Sequence, residues 1–292
     1  GQEYTNTTYK LAKMNLAVRG ISGNLGDVAA DTFSRDQHPD LKADYIMANP
    51  PFNLKDWRAA DELTDDARWA GYDVPPVSNA NYGWILHMVS KLSDNGVAGF
   101  ILANGALSGG SEEYKIRRKM IENDLVEAII VLPRDMFYTT DISVTLWILN
   151  KNKKARTAKL NGVTKNYRDR SGEILFVDLR RWGSEYEKKF IHLTPEDIEK
   201  IAANFHNWQQ VDCDKTYKDI TEYCYAATAD EIKANDFSLV PSKYIEFVAR
   251  DSGIDFDKEM KCIQQTFKAI LAEEAESQSE LKKAFKGLGY GI

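Results

Sequence analysis

The sequence predicts an α/β protein: a mainly parallel sheet with helices on both faces, followed by a mostly helical C-terminal region. Three observations carry that prediction. Short apolar runs with the look of strands alternate with stretches of helical periodicity. The 292 residues, 43% of them hydrophobic, are ample for one large domain or a core with an appendage. After about residue 190 the strand-like runs give way to helical patterns, so 1–190 and 191–292 are expected to be separate regions.

In chain order, the pattern from about Asn6 to Arg19 is helical, with Thr5 or Asn6 as plausible caps, and a short extended piece follows at Gly20 to Leu25. "DYIMAN", ending at Asn49, reads as a buried strand. Asn53 to Ser78 is a long irregular stretch with Trp57, Trp69, Pro75 and Pro76, and loops of that length inside a domain are usually functional. Asn81 to Leu92 is a helix, Gly96 to Asn104 a strand and Glu112 to Asn123 a helix. Leu125 to Pro133 and Ile142 to Lys151 are strands about ten residues apart, too close for a parallel crossover. They are expected as antiparallel neighbours at one sheet edge. Gly172 to Arg180 is another strand, and a capped helix begins near Thr194. Asp255 to Lys286 is a long helix with a stripe of Met260, Ile263, Phe267, Ile270, Leu271, Leu281 and Phe285. That period suits packing on its own domain or docking to a partner better than a membrane anchor. There is no internal repeat.

No run of about 18 apolar residues exists and the N-terminus has no signal-peptide core, so neither a membrane span nor secretion is expected. Cys213, Cys224 and Cys262 are odd in number and far apart, which argues against a disulfide framework or a zinc site and fits a reducing cytoplasm. The net charge of −6 is unusual for a chain that grips nucleic acid unaided. One segment runs the other way: Lys151 to Arg170 carries eight Lys/Arg against one Asp. It reads either as a solvated surface loop or as a phosphate-contacting loop, with Lys151, Lys153, Lys154 and Arg156 as the contact candidates.

The chemistry is concentrated where "DYIMAN" stops at Pro50, Pro51 and Phe52. Each proline fixes its own φ and disfavours the helical region for the residue before it. The strand end therefore offers the Asn49 side-chain oxygen and the Pro50 carbonyl on a stiff frame, with Phe52 as an apolar face beside them. Two acceptors and a ring suit a planar group bearing an exocyclic NH2. An amine so held becomes more tetrahedral, and the positive charge that develops during its attack on an electrophile is stabilised. No general base is needed if the electrophile is a sulfonium methyl held in line, which agrees with four scattered histidines and no metal-ligand pattern.

"NPPF" after an apolar strand resembles the catalytic motif of amino-group DNA methyltransferases, which flip their target base out of the duplex. "GQEYTNTTYKLAKMNLAVRGI", "NANYGWILHMVSKLSDNGVAGFILANGALS", "IRRKMIENDLVEAIIVLP", "MFYTTDISVTLWILNK" and "LFVDLR" resemble, in order, the methylation subunit of type I restriction-modification enzymes, as does "FSLVPSKYIEF" further on. These are N6-adenine methyltransferases. The resemblance implies a Rossmann-like class I S-adenosylmethionine-dependent methyltransferase sheet. It also implies DNA, a specificity subunit, a restriction subunit and a second methylation subunit as partners. Glu3 of "GQE" takes the position of the acidic residue for the ribose hydroxyls of S-adenosylmethionine, and Asp27 of "NLGDV" more loosely that of the one near the cofactor adenine, with Asp31 close by. Asn49, Pro50, Pro51 and Phe52 take the base-amine and stacking positions. "MFYTTDIS" resembles the segment that closes the other face of the base, through Phe137 or Tyr138, with a core role as the equal alternative for one of the two.

One departure is large. The family's D-x-[AG]-x-G-x-G loop, which cradles the methionine part of the cofactor, has no counterpart before Glu3. The resemblance therefore implies a sheet lacking its first strand or strands, a fragment inactive by itself, and an exposed sheet edge. Two other classes stay open on the residues alone: methylation of cytosine N4 or a protein glutamine, and an inactive assembly module.

Overall fold

The computed structural model describes residues 1–138, 141–160, 162–187, 189–213, 215–248 and 256–290. They form two units, Gly1–Phe247 and Val248–Ile292.

The first unit opens with α1 (Asn6–Val18), started by Thr5, whose side chain accepts from the Thr8 amide. Its single buried residue, Tyr9, donates its hydroxyl to the carbonyls of Gly26 and Asp27, tying the helix to the loop behind it. Residues 20–25 are irregular rather than extended. β1 (Ala43–Ala48) leads into the irregular stretch before α2 (Asn81–Lys91), which passes directly into β2 (Leu92–Ala103). α3 (Ser111–Glu122), β3 (Val126–Val131) and β4 (Val144–Asn150) follow. The basic run is not a loop but largely a hairpin, β5 (Arg156–Leu160) and β6 (Val163–Tyr167). β7 (Glu173–Asp178) is followed by the small hairpin β8 (Ser184–Tyr186) and β9 (Phe190–His192). α4 (Pro195–Gln209) starts with a capping box between Thr194 and Asp197. β10 (Cys224–Thr228) and α5 (Ala229–Ala234) complete the unit's regular elements.

Six strands form the main sheet in the order β1-β2-β4-β3-β7-β10. β1 and β2 pair in parallel, as do β3 and β7, while β4 runs against both β2 and β3, and β10 against β7. Four strands thus share one direction and two oppose it. β3 and β4 are antiparallel neighbours as their spacing requires, but they do not lie at the sheet edge. β7 returns to pair with β3 and β10 adds beyond it, so the pair sits inside the sheet.

Alternate side chains of the central strands feed two cores, as period-2 geometry demands. Ile129 and Phe176 pack on the face covered by α2 and α3, and Ile130 and Val177 on the face covered by Trp208 of α4. β1 stands at the edge: Tyr45 and Met47 are 66% and 93% exposed, while Ile46 and Ala48 reach the core. The second unit contains α6 (Phe256–Gly287), whose apolar stripe from Met260 to Phe285 is exposed. Among the described residues no helix is long and apolar enough to cross a membrane.

Candidate active site at the end of the edge strand

The parallel register of β1 on β2 ends with Ala48 opposite Phe100, and the chain leaves the sheet at Asn49. Pro50 is buried, Asn49 and Pro51 are exposed, and Phe52 is half-buried against the main core. The next residue, Asn53, has φ 52°, in the left-handed region that asparagine tolerates better than most side chains. Asn81, the first residue of α2, accepts from the Asn53 amide at 3.0 Å and donates to its Oδ1 at 2.9 Å. Asn79 donates to the same oxygen at 3.2 Å, and the Ala80 amide donates to the Leu54 carbonyl at 2.9 Å.

Asn49 and Pro51 line a cleft of about 870 Å³ whose other walls include Glu3, Asp31, Phe33, Trp57 and Trp84. Glu3 is held there through its backbone, since its carbonyl accepts from the Ala30 amide at 2.8 Å. Its neighbour Gln2 uses its whole side-chain amide: it donates to the carbonyls of Ala30 and Arg35 and accepts from the Gln37 amide. Asp31 accepts from the amides of Phe33 and Ser34. Phe33 lies with its ring centroid 4.3 Å from both Trp57 and Trp84. Gly83 permits this packing, because a Cβ there would sit 3.2 Å from the Trp57 ring.

Behind the aromatic wall, Arg68 donates to the carbonyls of Thr32 and Phe33 at 2.8 and 2.5 Å and makes a two-pronged ion pair with Asp66. Burial disfavours the Asp66 carboxylate, but the guanidinium outweighs that and holds its pKa below the usual range. Beside Arg68, His87 is pushed down to about 4, first by burial and then by the Arg68 charge. Half-buried there, it favours the neutral imidazole.

On the other side of the turn, the structure brings Phe137 to Phe52, centroids 6.5 Å apart and edge-on at 74°. Tyr138 turns away, 71% exposed, with its ring against Phe190 of β9. A second cleft of about 640 Å³, also at the carboxyl ends of strands, is lined by Asn104, Arg134, Arg180 and Arg181. Each arginine there is paired, to Asp141, Asp178 and Glu222 respectively.

Asp27 is exposed and lies outside the larger cleft, which Asp31 lines instead. The basic candidates lie elsewhere. The pairing of Val97 with Asn150 puts the end of β4 and the hairpin after it at the opposite end of the strands from Asn49. Lys153 is buried there, its ammonium donating to Asp124, the Val126 carbonyl and the Glu173 carbonyl, so it holds strands together and is not carried forward as a DNA contact. Arg156 bonds Asn95 and the Asn152 carbonyl, while Lys151 and Lys154 are exposed. Arg68, Asn81 and the second-cleft arginines carried no local signal; only "DLRRW" marks Arg180 and Arg181 as a basic pair at a strand end. Among the described residues no group of three or more His, Cys, Asp or Glu could hold a metal ion.

Set against solved structures, the chain takes the fold of a methyltransferase subunit. It matches the type I restriction-modification system methyltransferase subunit of Streptococcus thermophilus with a TM-score of 0.71 and 27% identity, covering 85% of this chain and 48% of that one. The sequence is more specific. The N-6 DNA Methylase family model matches residues 1–252, and the chain belongs to that family. It is 42% identical to the type I restriction enzyme HindI methylase subunit of Haemophilus influenzae, over 99% of this chain and 61% of the relative. It is 34% identical to the MjaIX methylase subunit of Methanocaldococcus jannaschii, over 99% of this chain and 50% of the relative. The chain thus spans about half to three-fifths of these two relatives.

Proposed function

We propose that this chain carries the base-holding part of a type I methylation subunit, which transfers a methyl group from S-adenosylmethionine to N6 of adenine in DNA. The observation that carries this reading is the Asn49-Pro50-Pro51-Phe52 turn at a strand's carboxyl end, opening onto the cleft that Glu3 also lines. Ligands of open α/β sheets sit at that end of the strands.

The residues present fit the donor. The cleft is of the size that holds a nucleoside-containing ligand, its carboxylates suit ribose hydroxyls, and its rings suit a purine or a sulfonium. Glu3 would hold the ribose, and Phe33, Trp57 and Trp84 would line the apolar side. S-adenosylmethionine, when bound, supplies an electrophilic methyl group. The chain's task is to prepare the nitrogen. Adenine's amine lone pair is delocalised into the ring. The Asn49 Oδ1 and the Pro50 carbonyl accept from its two N–H groups and favour the tetrahedral, positively charged form that bond formation requires. Phe52 and Phe137, edge-on to each other at 6.5 Å, would part to take the flipped ring between them, and the second cleft would receive the adjoining strand, where Arg134, Arg180 and Arg181 can exchange carboxylates for phosphates. None of these side chains has to abstract a proton; the product ammonium loses one to solvent.

DNA sequence would be read by a specificity subunit, with a restriction subunit and a second methylation subunit completing a cytoplasmic complex. The acidic balance of this chain agrees with a division of labour in which another chain supplies most of the grip. The exposed stripe of α6 is the candidate docking face.

The test uses the full-length natural chain with its specificity partner, labelled S-adenosylmethionine and duplex DNA, with digestion of the product to nucleosides. Label in N6-methyladenine is the expected result. Label in N4-methylcytosine, in protein, or nowhere overturns the reading.

A further inference from the structure

We infer that Asn81 is a positioning residue for the Asn49–Phe52 turn, acting through Asn53; this rests on the methyltransferase reading above. The pairing of β1 with β2 ends at Ala48, and the chain leaves the sheet at Asn49. Four residues later the chain needs a second anchor, and it has one in the Asn53 clamp.

The clamp is closed in both directions. Asn81 is 1% exposed and both polar atoms of its side chain are directed at Asn53, one accepting from the main-chain amide and one donating to the side-chain oxygen. Asn79 supports the pair twice, donating to Asn53 Oδ1 and accepting from the Asn81 amide at 2.9 Å. Asn53 in turn holds a left-handed backbone at φ 52°, the reversal that turns the chain back toward α2.

Helix capping does not explain Asn81. In α1, α4 and α5 a threonine before the helix accepts from its first-turn amides. The N-cap residue of α2, Ala80, has no side chain to do this; Asn79 accepts from the Asn81 main-chain amide, and the Asn81 side-chain amide is spent on a residue 28 positions away. Between the last β1–β2 pair and the clamp, Pro50 and Pro51 have fixed φ and Phe52 is packed. Few soft torsions remain in the turn, so fixing Asn53 fixes the direction of the Asn49 side chain and the Pro50 carbonyl. A misplacement of about 1 Å at such acceptors can cost on the order of a hundredfold in rate.

Two variants test this in the full-length chain with its specificity partner. Asn81→Asp is isosteric; it keeps the acceptor for the Asn53 amide but sets a second acceptor against Asn53 Oδ1. Asn53→Gly keeps the left-handed backbone and the main-chain amide but removes the side-chain oxygen that accepts from Asn79 and Asn81, at an exposed position, so it decides the matter alone if Asn81→Asp does not fold. Each is expected to lower kcat about tenfold to a hundredfold with the KM for S-adenosylmethionine changed less than about threefold. The double variant should be no worse than the poorer single one. Amide hydrogen exchange should rise at residues 49–56 and stay unchanged in β2. A kcat within about twofold of wild type, a loss confined to KM, or a loss that only tracks the unfolded fraction overturns the inference. An inactive wild type counts against the methyltransferase reading instead, and the exchange measurement still judges the clamp: equal exchange at 49–56 in Asn81→Asp and wild type rejects it.

Discussion

The Asn49–Phe52 turn takes its geometry from four consecutive residues, whereas the wall across the same cleft is assembled from separated stretches around Glu3, Asp31–Phe33, Trp57 and Trp84. Proline restricts its neighbours without help, so the turn is stiff before any tertiary contact forms. The opposite wall has no such local stiffness. Its parts are tied by Gln2 to residues 30–37, by Arg68 to Thr32 and Phe33, and by ring packing around Phe33. Damage to the turn should therefore remove chemistry from a folded protein, while damage to the wall should cost stability and donor affinity together.

Asn49→Ala should show the first behaviour in its strongest form. Asn49 is exposed, so folding has little to lose, but one of the two proposed acceptors for the amine disappears. A fall in kcat of roughly a hundredfold to a thousandfold is expected, as for loss of one transition-state hydrogen bond elsewhere. Labelled methyl transfer with an unchanged melting curve checks it, and undiminished incorporation would remove Asn49 from the mechanism. Arg68→Ala is the counterpart on the wall. It strands the Asp66 carboxylate and releases the carbonyls of Thr32 and Phe33. Denaturant unfolding should show a loss of about 3 kcal/mol, the scale for breaking a buried pair on one side, together with a raised KM for the donor. A stable variant with a normal KM would show that the wall is not held from behind.

What could be read from the sequence follows the same division. The Asn49–Phe52 turn is legible because its physics is local, whereas only the folded chain shows that of the adjacent Phe137 and Tyr138 it is Phe137 that lies near Phe52. The ten-residue spacing fixed β3 and β4 as antiparallel, but not their place in the sheet, because that depends on β7 and β10 far downstream. Lys151, Lys153 and Lys154 look alike in the sequence. The carboxylate and carbonyls of Asp124, Val126 and Glu173 are what make Lys153 a core residue. Asn81 was invisible for the same reason, since its role exists only beside Asn53. Asp27 and Asp31 lie four positions apart, and only the folded loop shows which faces the cleft.

Acid should weaken the wall before it affects the turn. His87 packs behind Phe33 with Arg68, Lys91, Asp36 and Asp66 as its charged neighbours, and its pKa is lowered to about 4. The folded state favours the neutral imidazole, so its contribution is fully present above the unfolded value near 6.5 and is lost as pH falls from there to about 4. The full shift corresponds to at most about 3 kcal/mol. Asp36 and Asp66, whose pKa values are depressed, add a second loss at lower pH. Unfolding free energy followed from pH 7 to 4 should fall in wild type and fall less in His87→Gln; parallel curves would show that this histidine does not carry the acid sensitivity.

The smallest expected effect separates the two halves most cleanly. Glu3→Gln keeps the backbone bond to Ala30, which uses the Glu3 carbonyl, and keeps nearly the same side-chain shape. It removes the negative charge that strengthens hydrogen bonds from ribose hydroxyls, a difference of about 1.5 kcal/mol or roughly tenfold in affinity. Because those hydroxyls are remote from the reacting nitrogen, the loss should fall on donor binding, with kcat at saturating donor unchanged. Calorimetric titration of S-adenosylmethionine against the full-length chain, paired with saturating-donor kinetics, reads both quantities. A lowered kcat with unaltered affinity would mean that Glu3 acts on the base side of the cleft, and the distinction between a local catalytic turn and an assembled donor wall would fail at its simplest point.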